Sequence, residues 1–348
     1  MLPCGVYNRT YAEDMATVRT RFHWWMLIIS LAFLASIPLF GTYYWITLFI
    51  FMGIFIINTV GLNILLGCAG QISLGHSAFM GIGAYTSAIL TAKAGFPFLL
   101  ALPLSGIMTG LVGLIFGFPS VRVKGFYLAL VTLGAQFILV YIIEHLEITG
   151  GTNGMVCPFA SIGPLVLDTP AKIYWLTMAI TILMVFFAHN LMRTRVGRAF
   201  IAVRDNDIAA EVLGINVRSY KLLAFFIGCF YAGIAGSIWA HYLTSIHPDQ
   251  FPLYISIIYL GAIIVGGIGT LFGAIAGGIV MRGFDELIRI VTPGLAEIFP
   301  TWGANIAPAM GPMVYGLVIM IFLIFEPHGL AHAWERLKTS IKLWPFAY

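Results

Sequence analysis

Apolar runs of bilayer length follow one another along this chain, separated by short polar stretches. A membrane helix needs about 17–25 predominantly apolar residues, and the pattern predicts ten such segments. They lie near 24–40, 45–66, 72–92, 97–118, 125–146, 173–190, 221–243, 254–266, 271–291 and 312–326. The expected fold is all-α, a polytopic transmembrane helical bundle. A membrane β-barrel would instead alternate polar and apolar residues over strands of about ten residues. Two regions, 70–83 and 254–273, are short and broken by glycine. Glycine costs a helix interior about 1 kcal/mol relative to alanine, so these clusters need a cause. Close helix packing is one, with Gly106 and Gly110, Gly113 and Gly117, and Gly269, Gly273 and Gly277 at spacing four. A second is an interrupted helix whose backbone faces a water-filled route. The similar positions of the two regions in the two halves hint at an internal repeat.

Composition agrees: 60% of residues are hydrophobic and only 9% charged, against the roughly 25% charged residues usual in a soluble domain. The chain reads as a polar N-terminal segment over 1–23, a membrane domain over 24–326 with a polar loop over 192–220, and a C-terminal tail over 327–348. With both termini cytoplasmic, fourteen Lys and Arg residues fall inside and only Lys93 and Lys172 outside, leaving Arg282 and Arg289 in or beside a span. The excess of positive charge follows loops between spans, which argues for a membrane surface and against nucleic acid. The apolar run from Trp24 has no small-residue cleavage site behind it and reads as an uncleaved first span. Cys4, Cys68, Cys157 and Cys229 stand singly, with neither disulfide nor zinc spacing.

Catalytic signatures are absent: there is no phosphate loop, dinucleotide fingerprint or nucleophile elbow. No catalytic residue, metal site or cofactor is assigned, and His328 and His332 read as a solvated pair. Gln71, Ser73, His76 and Ser77 are polar where apolar side chains would be cheaper. They either line a solute route or bond neighbouring helices; Gln71, Ser73 and His76, with the backbone at Gly267 and Gly269, are the candidate route. Arg282, Asp285, Glu286 and Arg289 are spaced as opposite-sign i,i+3 and i,i+4 pairs, which suits a self-paired helix end near the interface.

The one long, strongly charged stretch is RTRVGRAFIAVRDNDIAAEVLGINVRSYK, from Arg193 to Lys221. Asn206 or Asp207 can cap a helix there, Ala209 and Ala210 favour it, Glu211 marks one face, and Gly214 can end it in a left-handed turn. A helix of about two turns is too short to stand alone. It is either a knob that sinks small residues into a soluble partner or a solvated connection.

Several stretches carry a resemblance: GLNILLGCAGQISLGHSAFMGIGAY (61–85), VKGFYLALVTLG (123–134), TGGTNGM (149–155), RDNDIAAEVLGINVRSYKLLAF (204–225), AGIAGSIWAHYLTSIHPDQF (232–251) and VGGIGTLFGAIAG (265–277). In unbroken order they resemble the inner-membrane permease subunits of ABC importers for branched-chain amino acids, in particular the LivM type. The resemblance implies an ABC importer permease fold in a bacterial inner membrane and no enzymatic activity of its own. Residues 204–216 would be the coupling helix, with Asp207, Ala209, Ala210, Glu211, Leu213 and Gly214 engaging a cytoplasmic ATPase. The order here is A-A-E where the broader permease motif reads E-A-A. Implied partners are a second permease of the LivH type, two ATP-binding subunits and a periplasmic substrate-binding protein. Related permeases carry Leu, Ile and Val, other amino acids, urea or short amides, so the substrate stays open. A stand-alone secondary transporter and a membrane-embedded enzyme are the competing classes.

Overall fold

The computed structural model describes residues 21–163, 165–298 and 300–343. Most of the expected N-terminal segment (residues 1–20, with Cys4) and the tail residues 344–348 lie outside the described residues. Thirteen helices are described: α1 Arg21–Phe40, α2 Tyr43–Leu62, α3 His76–Ala92, α4 Phe98–Gly117, α5 Phe126–His145, α6 Pro170–Arg193, α7 Arg195–Asp205, α8 Asp207–Val212, α9 Val217–Leu243, α10 Leu253–Gly266, α11 Leu271–Ile298, α12 Pro300–Phe325 and α13 Gly329–Leu343. Helices occupy all ten places that the apolar pattern marks.

Among the described residues, six helices are long and apolar enough to cross a membrane, and seven if the pair Met310–Phe325 and Gly329–Ser340, bent by 42°, is one span. The shortfall from ten has local causes. The apolar part of α1 covers only Trp24–Leu39. Residues 69–75 stay non-helical, which leaves α3 with 17 residues. α10, with the turn before it, is counted among the six as Pro248–Gly266 and stops at Gly267, whose φ of 115° suits a residue without Cβ. Most of the expected tail forms a helix, α13.

The chain forms two compact units, 1–49 and 50–348. In the first, Phe33 meets Phe49 edge to face at 6.4 Å between centroids. In the second, α9 is the central rod. The predicted glycine spacing packs α4 against it: a Cβ on Gly106 would come within 2.8 Å of Phe230, on Gly110 within 2.7 Å of Phe226, on Gly113 within 2.5 Å of Cys229 and on Gly117 within 2.6 Å of Phe225. Small residues let the two backbones approach and replace hydrophobic drive by close van der Waals contact. A separate core joins α10, α11 and α12 through Ile258, Ala262, Val265, Met281, Tyr315 and Val318.

Short strands close the loop end of α9. Met155–Val156 (β1) pairs antiparallel with Ser245–Ile246 (β4), and Ser161–Ile162 (β2) with Leu165–Val166 (β3). Below β1, His241 Nδ1 donates to the Pro158 carbonyl at 2.9 Å, which leaves Nε2 to accept from Ser87 Oγ at 3.0 Å. Ser87 also shares a 2.7 Å hydrogen bond with Ser237.

Candidate functional site

At the other end of α9, the charged stretch folds as three capped pieces. Thr194 Oγ1 accepts the Gly197 amide and opens α7. Asn206 Oδ1 accepts the Ala209 amide at 3.0 Å and opens α8; Asn216 Oδ1 accepts the Ser219 amide at 3.2 Å and opens α9. α8 ends as its sequence indicates. Gly214, at φ 84°, donates to the Glu211 carbonyl at 3.0 Å, and the Ile215 amide donates to the Ala210 carbonyl at 3.0 Å. This pair of bonds is the Schellman arrangement that satisfies a helix's last carbonyls. α7 is a helix that the sequence reading does not anticipate. Its signal is present nonetheless, since Ala199, Phe200 and Val203 recur at helical spacing behind the Thr194 cap and are all buried.

The predicted partner-facing residues of α8 divide. Ala210 is 1% exposed and packs inside its own chain, so it does not offer a small side chain outward. The outward face is apolar: Ile208 is 71%, Val212 83% and Leu213 78% exposed, beside Ala209 and Glu211. Asp207 turns inward and forms ion pairs with Lys124 and Lys221, the latter at 3.4 Å. The Lys124 hydrogen bond, with Lys221 behind it, holds the Asp207 carboxyl below the usual carboxylate range against a smaller desolvation effect.

α7 and α8 are also tied to the membrane helices. The last turn of α2 widens into a π-helix over Asn63–Cys68, a distortion often found at functional sites. Arg204, in the last turn of α7, donates to the Gly67 carbonyl there at 2.8 Å. Asn63 in the same turn donates to the Thr270 carbonyl at 3.1 Å and accepts the Gly269 amide at 2.9 Å. The π-turn just before the first glycine-broken region therefore holds the second, and the two regions themselves meet where the Ser77 amide donates to Ser256 Oγ at 2.8 Å. A Cβ on Gly267 would come within 3.1 Å of both Ala331 and the His328 carbonyl, so the same break touches the start of α13.

Of the candidate route residues, Gln71 belongs to this junction: its Nε2 donates to the Lys221 carbonyl at 3.1 Å. Gly267 and Gly269 belong to it too. Ser73 and His76 lie in the interior, both fully buried. Ser73 Oγ, Ser77 Oγ, Asn58 Oδ1 and both ring nitrogens of His76 have no hydrogen-bond partner of good geometry. The His76 ring stands edge-on to Tyr259 at 6.0 Å, and Tyr259 OH meets Asn58 Nδ2 at 3.3 Å. Each unmet buried polar group costs about 1–3 kcal/mol. Sequence reasoning missed Asn58 and Tyr259, which single-position polarity inside apolar helices could have flagged.

Arg282 pairs with Asp285 and lies 4.8 Å above the Phe51 ring, so the predicted i,i+3 pairing in α11 forms. Among the described residues no group of three or more His, Cys, Asp or Glu could hold a metal ion. The His328 and His332 rings stand 5.0 Å apart.

A family profile described as "Branched-chain amino acid transport system / permease component" matches residues 44–323. The chain belongs to that family. It is 32% identical over 281 residues to the high-affinity branched-chain amino acid transport system permease protein LivM of Escherichia coli (strain K12), covering 72% of this chain and 66% of the relative. The LivM protein of Salmonella typhimurium is 31% identical over the same shares. The autoinducer 2 import system permease protein LsrC of Yersinia pestis (strain Pestoides F) is 27% identical over 251 residues, 68% of this chain and 64% of the relative. The matches thus span just under two thirds of the relatives' own length. No solved structure matches. As a member of a permease family with several bilayer-length helices, the chain is a multi-pass membrane protein of transport type. In this permease-family chain, α7, α8 and the π-turn form one connected junction at the end of α9 opposite the β1–β4 pair.

Proposed function

We propose that this chain is the permease subunit of an ATP-driven ABC importer for branched-chain amino acids, in a bacterial inner membrane with both termini cytoplasmic. The observation that carries the reading is α8: a short, doubly capped helix with an outward apolar face, in a chain 32% identical to LivM. Ile208, Val212 and Leu213 would be buried against a cytoplasmic ATPase, with Ala209 and Glu211 at the rim, while Asp207 and Gly214 hold the helix in shape. Movement of α8 would reach the membrane helices through Arg204, Gly67 and Asn63, and would part α3 from α10 around Ser73 and His76. A transport cycle of this kind requires two packings of similar energy, biased by nucleotide and by the loaded receptor. The partners are a second permease, two ATP-binding subunits and a periplasmic receptor that selects the solute. The LsrC relatives favour a second reading, the same machinery serving another small solute.

The test is reconstitution of the subunits in proteoliposomes with receptor and ATP. Leucine, isoleucine and valine should accumulate only when all subunits and ATP are present. Accumulation by the permeases alone would identify a stand-alone transporter instead.

A further inference from the structure

Two bilayer-length helices meet at the charged junction: α4, continued by the 3-10 turn Phe118–Val121, and α9, which starts at Val217. A cavity of about 200 Å³ at their ends is lined by Phe118, Val121, Arg122, Arg218 and Leu222, two guanidiniums and no carboxylate. Both arginines are exposed, and among the described residues neither guanidinium has a hydrogen-bond or ion-pair partner. Neighbouring cations differ: Lys124 and Lys221 pair with Asp207, and Arg204 pairs with Asp205. From the cavity an apolar stripe runs along α4. Leu104, Met108, Leu111, Ile115 and Phe118 recur at spacings of four and three, and all are exposed. At about 1.5 Å per residue the stripe is about 20 Å long, more than the roughly 15 Å of hydrocarbon in one leaflet.

We infer that this cavity binds the phosphate of an anionic phospholipid, with an acyl chain along the exposed stripe of α4. The site needs only that the chain spans a bilayer; its placement in the cytoplasmic leaflet rests on the orientation proposed above. Arg122 directly follows one span and Arg218 stands at the start of another, so both guanidiniums lie at headgroup level. A guanidinium offers phosphate oxygens two parallel hydrogen bonds, and basic pockets between membrane helices suit anionic headgroups. The cavity is smaller than the range of about 300–1,000 Å³ for sites that enclose a small molecule. It takes the phosphodiester and leaves the glycerol and chains outside. A soluble anion would leave Phe118 and the stripe uncovered, and a choline headgroup would bring a third cation beside two. The bound lipid ties the end of α4 to the start of α9, two residues beyond the Asn216 cap.

The test is native mass spectrometry of the full chain in detergent micelles, titrated with dioleoylphosphatidylglycerol or dioleoylphosphatidylcholine. One saturable site for phosphatidylglycerol is expected, with phosphatidylcholine bound about tenfold more weakly or worse. Arg122→Gln and Arg218→Gln should each weaken phosphatidylglycerol about tenfold, the size of one hydrogen bond to a charged group. Phosphatidylcholine binding should stay unchanged in both, which reports a retained fold. Arg195→Gln removes an exposed cation of α7 outside this cavity and should have no effect. Excess glycerol 3-phosphate should not compete. Equal binding of the two lipids overturns the inference, as does unchanged affinity in both cavity variants. Equal weakening by Arg195→Gln would mark diffuse surface charge, and displacement by glycerol 3-phosphate a site for soluble anions; either overturns it. So does loss of the lipid when the chain is assembled with a second permease, which would make the cavity a subunit contact.

Discussion

Arg204 donates to the Gly67 carbonyl at 2.8 Å, so the helix leading into the charged loop is fastened to the π-turn that ends the second helix. On the far side of that turn Asn63 holds both Gly269 and Thr270. These bonds join α7, the π-turn and the break after α10 in one series. The sequence separates these residues by more than a hundred positions; the fold joins them within one turn.

Asn63→Leu should be among the more damaging polar substitutions in the membrane region. It removes the acceptor for the Gly269 amide and the donor for the Thr270 carbonyl, at about 1–3 kcal/mol for each group left unmet. Thermal denaturation followed by fluorescence-detected size exclusion should show a lowered midpoint. A midpoint equal to the parent's would mean that these two bonds contribute nothing to holding the glycine break.

Val212→Glu and Leu213→Asp should leave membrane insertion intact and reduce recovery of the ATPase on affinity purification. Burying one aliphatic side chain contributes about 1.5–3 kcal/mol, so each change should weaken association by tenfold or more. Ala210→Cys should label poorly with a hydrophilic maleimide in the isolated chain, because its position is buried, while Ile208→Cys should label fast. Fast labelling at 210 would contradict the inward orientation of Ala210.

Gly214→Val should uncouple ATP hydrolysis from uptake. Its φ of 84° is available to glycine and strained for a β-branched residue, at a cost of about 1–3 kcal/mol. The readout is the ratio of ATP hydrolysed to solute imported, which should rise. In contrast, a methyl group added at Gly134 would meet nothing within 4 Å, and Gly134→Ala in the middle of α5 should preserve or raise the thermal midpoint.

The Lys124–Asp207–Lys221 group sets a pH dependence of known sign. The folded-state pKa of Asp207 is lowered, so its contribution to stability is complete above the unfolded value of about 4 and fades as pH falls through the lower folded value. Between pH 6 and 8 the Asp207 carboxylate should stay ionised. Asp207→Asn should reduce the attachment of α8 equally across that range, measured by hydrogen exchange of the 206–214 amides. Recovery of parent-like protection at pH 6 alone would refute the assignment.

Much of this molecule is legible in its residue order. Helices stand at all ten apolar runs, and the Asn206 and Gly214 signals delimit α8, because caps and bilayer-length periodicity are local properties. The direction of Ala210 is not legible, since a six-residue helix carries too little pattern to say which face is covered. Nor is the meeting of Gly67 with Gly269, which depends on how α2 and α10 pack. Gln71 illustrates both limits: it is polar among apolar neighbours, yet its bond to the Lys221 carbonyl places it at the charged junction rather than beside His76.

α9 runs for 27 residues from the Asn216 cap to the strand at Ser245 without a break. At about 1.5 Å per residue it is a strut of about 40 Å. Such a strut resists compression, so a displacement imposed at Lys221 would be carried along it toward His241 rather than absorbed on the way.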